Sequence, residues 1–186
     1  RILDATMEEI GDRLPVINGV YADGSGEAAK LARMAEDGGA SCLLVLPPHS
    51  IGMFGGQLRP EMALAHFKTI ADATDLPIIV FQYPGTYAYP LPTLLRMIDE
   101  VPTIRAIKDW SPPMAQETHV RALQSLPRPV NVLSTNSAWL MASLTMGCNG
   151  LLSGSGSVIA DLQVALFRAV QDDDLARAQE INDRIY

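Results

Sequence analysis

The sequence predicts an α/β protein built on a parallel sheet. Short apolar runs and amphipathic segments alternate along the 186 residues, so that each predicted strand is followed by a predicted helix. The runs are also short and mostly continuous, rather than alternating between apolar and polar residues, which is typical of parallel strands covered on both faces. Strict β-α alternation leads either to a doubly wound sheet or to a (β/α)8 barrel.

The individual elements follow from these patterns. Apolar runs predict six strands, at residues 15–20, 42–46, 77–81, 104–109, 130–133 and 150–153. Apolar residues at helical spacing, bounded by Gly or Pro, predict helices at residues 27–37, 60–73, 92–100, 114–126, 136–146 and 158–170. Residues 1–12 fit the end of a further helix, and Asp172-Asp173-Asp174 predicts the start of a last one. The connection from Ser50 to Arg59 is long and glycine-rich, which predicts a functional or mobile loop.

Glycine spacing argues against a doubly wound sheet that binds a dinucleotide. Such a sheet would have a glycine-rich turn after its first strand. The motif Gly154-Ser155-Gly156 follows the last predicted strand instead, and it lacks a third glycine at the required offset.

Composition and charge exclude several classes of partner. The formal net charge is −7, and no cluster of Lys or Arg is present, so neither a nucleic acid nor an anionic membrane surface is an expected partner. No apolar run approaches the length of a membrane span, and no signal peptide is recognisable. Cys42 and Cys148 lack metal-like spacing, which predicts free thiols in a reducing compartment and hence a cytoplasmic protein.

Lys108 is the candidate nucleophile. The chain has three lysines, and Lys30 and Lys68 lie in helical patterns, whereas Lys108 follows the apolar run that begins at Ile104. Burial disfavours an ammonium group and lowers its pKa, and the neutral amine can form a Schiff base with a carbonyl substrate. The alternative is a strand-end lysine that reaches water or pairs with Asp109.

Several segments resemble the dihydrodipicolinate synthase / N-acetylneuraminate lyase family of Schiff-base lyases. Residues 106–109, Ala-Ile-Lys-Asp, are similar to the family's lysine motif, residues 74–79 resemble the segment before its tyrosine motif, and residues 147–153 match its eighth strand in spacing. The resemblance implies that residues 1–186 form a single TIM-barrel domain, present as a fragment with strands 3–8. The first two strands and the C-terminal helical region would then be absent, and Lys108 would lie on the sixth strand.

The same resemblance implies a function. Lys108 would condense with pyruvate or a related 2-keto acid, and the protein would be a lyase or aldolase with no metal and no organic cofactor. The partners would be a small-molecule 2-keto acid and further copies of the chain, as a tetramer or dimer. Two alternatives stay open: a sugar-acid (2-keto-3-deoxy acid) dehydratase that uses the same imine, and a non-catalytic paralogue that binds keto acids.

Departures from the family pattern indicate a divergent member rather than dihydrodipicolinate synthase itself. The family's Tyr-Asn-x-Pro motif aligns with residues 81–84, Phe-Gln-Tyr-Pro, so Phe81 lacks the hydroxyl that relays protons. Tyr83 or His49 is expected to move protons instead, and Tyr87 and Tyr89 are further candidates. His49 stands where the family often has a tyrosine contributed across a subunit contact. An arginine of the synthase branch aligns with Thr86.

Four residues are expected to bind the substrate. They are Phe81, Thr135, Leu152 and Gly154. Thr135 aligns with a glycine whose backbone often faces the keto acid, and Leu152 aligns with a residue whose carbonyl does so. Gly154 lies in the turn after the last strand, where barrel enzymes often hold anions. Trp110 follows the lysine motif and has two candidate roles, lining the pocket or packing in the core, and core packing is the expected one.

Overall fold

Six strands form the sheet of this protein. The fold is taken from a computed structural model, which describes residues 1–53 and 59–186. The strands are neighbours in chain order, and parallel pairing is set in register by Ile17 with Cys42 and by Leu43 with Ile78. The strands are β1 (Ile17–Val20), β2 (Cys42–Val45), β3 (Ile78–Gln82), β4 (Ile104–Asp109), β5 (Asn131–Ser134) and β6 (Gly150–Leu151).

Helices follow the strands, as predicted. They are α1 (Ile2–Ile10), α2 (Ser25–Asp37), α3 (His49–Met53), α4 (Pro60–Ala71), α5 (Leu91–Glu100), α6 (Pro113–Gln124), α7 (Leu140–Thr145), α8 (Gly156–Gln171) and α9 (Leu175–Ile185). Prolines stand at the first positions of α4, α5 and α6, where the missing N–H costs nothing. The predicted last helix begins at its aspartates, because the Asp174 side chain accepts a hydrogen bond from the backbone N–H of Arg177.

Two predicted boundaries differ most from the structure. The predicted connection 50–59 is helical at its start, since α3 begins at His49, and its residues 54–58 lie outside the described residues. Helix α7 begins at Leu140 rather than at Asn136. The reason is a local turn, in which the Asn136 side chain accepts a hydrogen bond from the backbone N–H of Ala138 at 3.2 Å.

The chain divides into two compact units, and the boundary falls within β4. Unit 1 comprises Arg1–Ala106 and unit 2 comprises Ile107–Tyr186. In unit 1, every residue of β3 is buried, which explains its continuous apolar sequence. In unit 2, helices α7, α8 and α9 share an apolar cluster. Its buried members are Leu140, Leu144, Leu166, Ala169, Ala178 and Ile181.

Candidate active site

In unit 1, the connections that follow β1, β2 and β3 enclose a cavity of about 300 Å³. The carboxyl ends of parallel strands are where α/β proteins build their sites, because side chains from several connections converge there. We call this the tyrosine cavity. It is lined by Tyr21, Leu46, Pro47, His49, Tyr83 and Tyr87.

A hydrogen bond joins two polar groups of the tyrosine cavity. The Tyr87 hydroxyl lies 3.0 Å from Nδ1 of His49, and the two rings are tilted with centroids 5.9 Å apart. His49 opens α3, and Tyr87 ends a 3₁₀ turn that begins at Gly85. Gly85 has a φ of 67°, a left-handed conformation that favours glycine. The exposed His49 and the half-buried Tyr87 thus form a polar pair at the cavity wall.

Tyr83 lies between two other aromatic rings. Its centroid is 4.2 Å from that of Phe81 and 6.2 Å from that of Tyr87. Burial, and then the charge of Tyr21, raise the pKa of the Tyr83 phenol above its ordinary value. Tyr83 therefore stays protonated and can donate a hydrogen bond at neutral pH. Phe81 is buried and supplies a packing surface for Tyr83.

A side-chain clamp closes the connection that carries these tyrosines. The Gln82 amide donates to the carbonyl of Tyr89 at 2.8 Å, and its oxygen accepts from the Tyr89 backbone N–H at 3.0 Å. Both residues are buried, so each bond replaces water that these groups cannot reach. The Tyr89 hydroxyl is buried without a hydrogen-bond partner, and its ring packs edge-on against Phe67. Tyr89 thus has a packing role, unlike Tyr83 and Tyr87.

In unit 2, Lys108 is half-buried near the end of β4, and burial lowers the pKa of its ammonium group below the ordinary lysine value. Strand side chains alternate between faces, so Lys108 and Asp109 point to opposite sides of β4. Asp109 contacts His119 of α6. Lys108 therefore lies on the face of β4 opposite α6.

The carboxylate of Asp109 is already engaged on both oxygens. Oδ1 accepts from the backbone N–H of Ser111 at 2.9 Å, and Oδ2 lies 2.7 Å from Nδ1 of His119. The Asp109 carbonyl accepts from the Gln116 amide and from the Thr135 backbone N–H. Asp109 is fully buried, and these bonds make it an anchor for the end of β4.

Further polar groups continue this buried network. The hydroxyl of Ser134 donates to that of Ser143 at 2.8 Å, and the hydroxyl of Ser143 donates to the Gln116 oxygen at 2.7 Å. Burial, and then the charge of Asp109, raise the pKa of the Cys148 thiol to about 12. Cys42 and Cys148 are free, as predicted, and Cys148 has no access to solvent for thiol chemistry.

Three predicted substrate-binding residues follow β5 and β6 in unit 2. Thr135 is nearly buried, Leu152 is half-buried and its backbone N–H donates to Ser134, and Gly154 is exposed. Beside them, the hydroxyls of Ser137, Ser153 and Ser155 lie 2.7 to 3.0 Å from one another. Their substrate contacts stay predictions. The expectation that Trp110 packs in the core was wrong, since 43% of it is exposed.

Sequence reasoning missed the partners of several of these groups. His119, Gln116 and Leu123 share the buried face of α6 at helical spacing, which was the available signal that His119 is a buried residue. Nothing in the sequence indicated the Gln82 clamp, because its partner is a backbone group. The sequence also gave no reason to include Tyr21 in the site.

Two features are absent from the residues that the structure describes, a metal site and a membrane-spanning helix. In residues 1–53 and 59–186, no group of three or more His, Cys, Asp or Glu side chains could hold a metal ion. Within the same ranges, no helix has the length and apolar character needed to cross a bilayer. The lack of a metal or organic cofactor stays a prediction.

Fold and site together define an α/β protein with a half-buried lysine at the end of a parallel strand. All 186 residues match the model of the Dihydrodipicolinate synthetase family. The chain belongs to this family, as its lysine motif and strand spacing predicted.

Two similar curated relatives have the same name. The 4-hydroxy-tetrahydrodipicolinate synthase of Gluconacetobacter diazotrophicus is 31% identical over 188 residues, which cover 100% of this chain and 61% of the relative. The enzyme of the same name from Nitrosomonas europaea is 33% identical, with coverages of 100% and 61%. The chain thus spans about three-fifths of the length of these relatives.

Solved structures share the fold. The dihydrodipicolinate synthase from Aquifex aeolicus superposes with a TM-score of 0.87 at 24% identity, covering 99% of this chain and 61% of that one. YagE, a prophage protein of the same family from E. coli K12 in complex with pyruvate, gives 0.89 at 21%, with coverages of 99% and 61%. This likeness confirms the predicted fold, a (β/α)8 TIM barrel present as a fragment.

Another similar structure bears on the expected oligomer. A protein described as the first monomeric dihydrodipicolinate synthase variant has a TM-score of 0.88 at 23% identity, covering 99% of this chain and 61% of that one. The tetramer or dimer expected here stays a prediction.

Proposed function

We propose that the protein is a lysine-dependent lyase or aldolase that acts on pyruvate or a related 2-keto acid through an imine on Lys108. The observation that carries the proposal is the half-buried Lys108, whose pKa is lowered by burial, on the face of β4 opposite α6. Family membership over the whole chain supports it, as do relatives named as synthases and a related protein that binds pyruvate.

The chemistry follows from the neutral amine. Nζ of Lys108 attacks the ketone carbon, and the carbinolamine loses water to give a protonated imine. The imine withdraws electrons from the neighbouring carbon, so that a proton or a carbon–carbon bond at that carbon can be lost or formed. Hydrolysis then returns the free lysine. These steps need no metal and no organic cofactor.

Proton transfer in the proposal is assigned to the tyrosine cavity. The Tyr83 phenol, whose pKa is raised further by burial, is proposed to donate a proton in place of the hydroxyl that Phe81 lacks. The hydrogen-bonded pair of Tyr87 and His49 is proposed to pass protons as a general acid and base. Phe81, Thr135, Leu152 and Gly154 are proposed to contact the bound keto acid.

Reductive trapping tests the proposal. Incubation with pyruvate and borohydride should attach a reduced adduct to Lys108, located by peptide mass spectrometry. The trapping rate should rise with pH through a range below that of an ordinary lysine, because the neutral amine is the reactive form.

Two matched variants control the trapping experiment. Lys30→Arg and Lys68→Arg should leave the adduct intact, since these lysines are exposed and pair with Glu27 and Glu100. Lys108→Met should abolish it. An adduct on Lys30 or Lys68, or none with any 2-keto acid, would refute the proposal.

Two alternative functions remain to be distinguished from this proposal. A 2-keto-3-deoxy acid dehydratase would use the same imine, and comparing aldol cleavage with dehydration of such acids separates the two. The missing hydroxyl at Phe81 favours the third reading, a non-catalytic paralogue. Thermal stabilisation by pyruvate without turnover, unchanged in Lys108→Met, would establish that reading.

The proposal also includes assembly and location. We expect a cytoplasmic homo-oligomer, a tetramer or a dimer. Sedimentation analysis measures the assembly directly.

A further inference from the structure

We infer that His119 is a positioning residue for Lys108, acting through the Asp109 carboxylate that follows this lysine in β4. The three residues belong to unit 2. His119 lies on the buried face of α6 and is 5% exposed, so it does not reach a keto acid bound at Lys108, on the opposite face of β4. The inference rests on the proposed function, and it adds a residue that acts on the amine from behind the strand.

Hydrogen bonds hold the backbone next to Lys108 from three directions. The carbonyl of Asp109 accepts from the backbone N–H of Thr135 at 3.1 Å, just after β5, and from the Gln116 amide of α6 at 3.2 Å. Its Oδ1 accepts from the backbone N–H of Ser111 at 2.9 Å. A residue held in this way has little conformational freedom, so the direction in which the Lys108 side chain leaves β4 is fixed.

The contact with His119 fixes the second oxygen of the same carboxylate. Nδ1 of His119 lies 2.7 Å from Oδ2 of Asp109, a length typical of charge-assisted hydrogen bonds, which are about twice as strong as neutral ones. The carboxylate is buried completely, so water cannot take the place of the ring. A variant without this donor would leave a buried acceptor unsatisfied, and the end of β4 would have to move to give it a partner.

The helix that carries His119 is held by the same network. The amide of Gln116, one turn earlier on α6, donates to the hydroxyl of Ser134 at 3.3 Å, which donates to the hydroxyl of Ser143 at 2.8 Å. The Ser143 hydroxyl donates back to the Gln116 oxygen at 2.7 Å. This closed ring of hydrogen bonds joins β5, α6 and α7, so the imidazole is presented to Asp109 from a fixed position.

The effect on Lys108 is one of position rather than of charge. Lys108 and Asp109 point to opposite faces of β4, and both carboxylate oxygens face other partners. Burial is the cause of the lowered pKa of Lys108, so this pKa depends on where the amine lies. Misplacing a reacting group by about 1 Å costs up to about a hundredfold in rate, and releasing the base of a long, flexible side chain allows such a displacement.

Two variants of the same shape test the role of the donor. Asn and Leu share one branched side-chain shape, but only Asn keeps an N–H donor where Nδ1 of His119 stands. In the pyruvate and borohydride experiment, His119→Leu should lower the trapping rate at saturating pyruvate by about tenfold or more, and change the half-saturating concentration by less than about twofold. His119→Asn should stay within about threefold of the native rate. Equal rates in the two variants would overturn the inference.

A third variant separates positioning from loss of stability. Leu166→Ala opens a cavity in the apolar cluster of α7, α8 and α9, and urea denaturation measures its destabilisation beside that of His119→Leu. Per folded molecule, Leu166→Ala should trap pyruvate at the native rate. A loss as large as that of His119→Leu would show that the histidine acts on stability alone, and the inference would fail.

A titration without pyruvate distinguishes failure of this inference from failure of the proposed function. The chain has three lysines, so the NMR signals of their Cε groups can be assigned with Lys30→Arg and Lys68→Arg. In the native protein, the Lys108 signal should titrate below the ordinary lysine value. In His119→Leu its midpoint should lie higher by about 0.5 or more, because a released amine gains access to water, whereas His119→Asn should keep the native midpoint.

The outcomes of the two experiments are independent. If no pyruvate adduct forms on the native protein, the proposed function fails, but a raised midpoint in His119→Leu alone still supports His119 as the residue that positions the amine. An unchanged midpoint in His119→Leu, or an equal change in His119→Asn, overturns the inference whatever happens with pyruvate.

Discussion

Each unit of the molecule buries one histidine on a helix, and the two differ in their partners. In unit 1, His66 of α4 is 3% exposed and its Nδ1 lies 3.0 Å from the hydroxyl of Ser25. In unit 2, His119 of α6 is 5% exposed and its Nδ1 lies 2.7 Å from the carboxylate of Asp109. One histidine is thus hydrogen-bonded to a hydroxyl and the other to a carboxyl group that has further partners.

The difference shows what buried polar groups do in each unit. Burial lowers the pKa of His66 to about 4, with a smaller opposing effect from Asp23, so the buried ring is neutral at pH 7 and keeps its hydrogen bond to Ser25. His119 instead completes the hydrogen bonding of a carboxylate at the end of the strand that carries Lys108. His66 is therefore expected to destabilise the fold at low pH, whereas His119 belongs to a hydrogen-bond network that holds the end of β4 in place.

Removing the carboxylate should give the largest effect. Asp109→Ala leaves the buried His119 and the backbone N–H of Ser111 without their acceptor. We expect the free energy of unfolding to fall by about 3 to 5 kcal/mol, as when one member of a buried pair is deleted. Urea denaturation measures this change.

Asp109→Asn is the matched control, because its amide oxygen can still accept from Ser111, and its loss should be smaller. A change below about 1 kcal/mol for Asp109→Ala would show that the network does not anchor β4.

The second largest effect on stability is expected at low pH, where His66 becomes protonated. The folded pKa of His66 lies below its unfolded value, so the unfolded chain binds more protons between about pH 4 and pH 6.5, and stability falls as the pH drops through this window. A shift of this size is worth about 3 kcal/mol. His66→Gln should remove that part of the acid dependence, measured as the free energy of unfolding between pH 7 and pH 4.

Ser25→Ala distinguishes burial from hydrogen bonding as the cause. Burial is the main reason for the lowered pKa, so this variant should keep most of the acid loss. If His66→Gln leaves the acid dependence unchanged, another group is responsible for it.

The third histidine should have the smallest effect on stability. His49 is exposed and bonds to the Tyr87 hydroxyl in the tyrosine cavity, away from the buried core. Tyr87→Phe should change the free energy of unfolding by less than about 1 kcal/mol. It should nevertheless slow formation of the pyruvate adduct on Lys108 by about a hundredfold, if the pair transfers protons.

His49→Gln should slow the adduct to a similar extent, because either change breaks the same pair. An unchanged rate in both variants would assign proton transfer to Tyr83 alone.

Much of the fold could be predicted from local pattern. Strand β4 was predicted with both of its ends, because its apolar run is bounded sharply by Thr103 and by the polar end at Asp109. Helix α7 was predicted four residues too early, because Asn136 is compatible with helical spacing and the turn it makes depends on one side-chain bond. The spacing of apolar residues shows which face of a helix is buried. It does not show whether a side-chain hydrogen bond will replace the first turn of that helix.

The site was predictable only in part. Lys108 stood out because the other two lysines lie in helical patterns, whereas Lys108 follows a run of apolar and small residues. Tyr83 and His49 followed from the resemblance to the family, at or beside positions where it has tyrosines. The clamp between Gln82 and Tyr89 was not predictable, since its geometry is set by the backbone of the following turn. The expected burial of Trp110 failed because large aromatic residues serve surfaces as well as cores.

The sequence by itself determined the alternation of strands and helices and the position of one lysine at the end of a buried strand. Only the tertiary structure decided the partners of the three histidines, two of which lie about forty residues away along the chain, at Ser25 and Tyr87. The physical reason is that burial follows the local spacing of apolar residues, with a period of two residues in strands and 3.6 in helices. A side-chain hydrogen bond instead forms between groups that packing brings within about 3 Å, wherever they lie in the sequence.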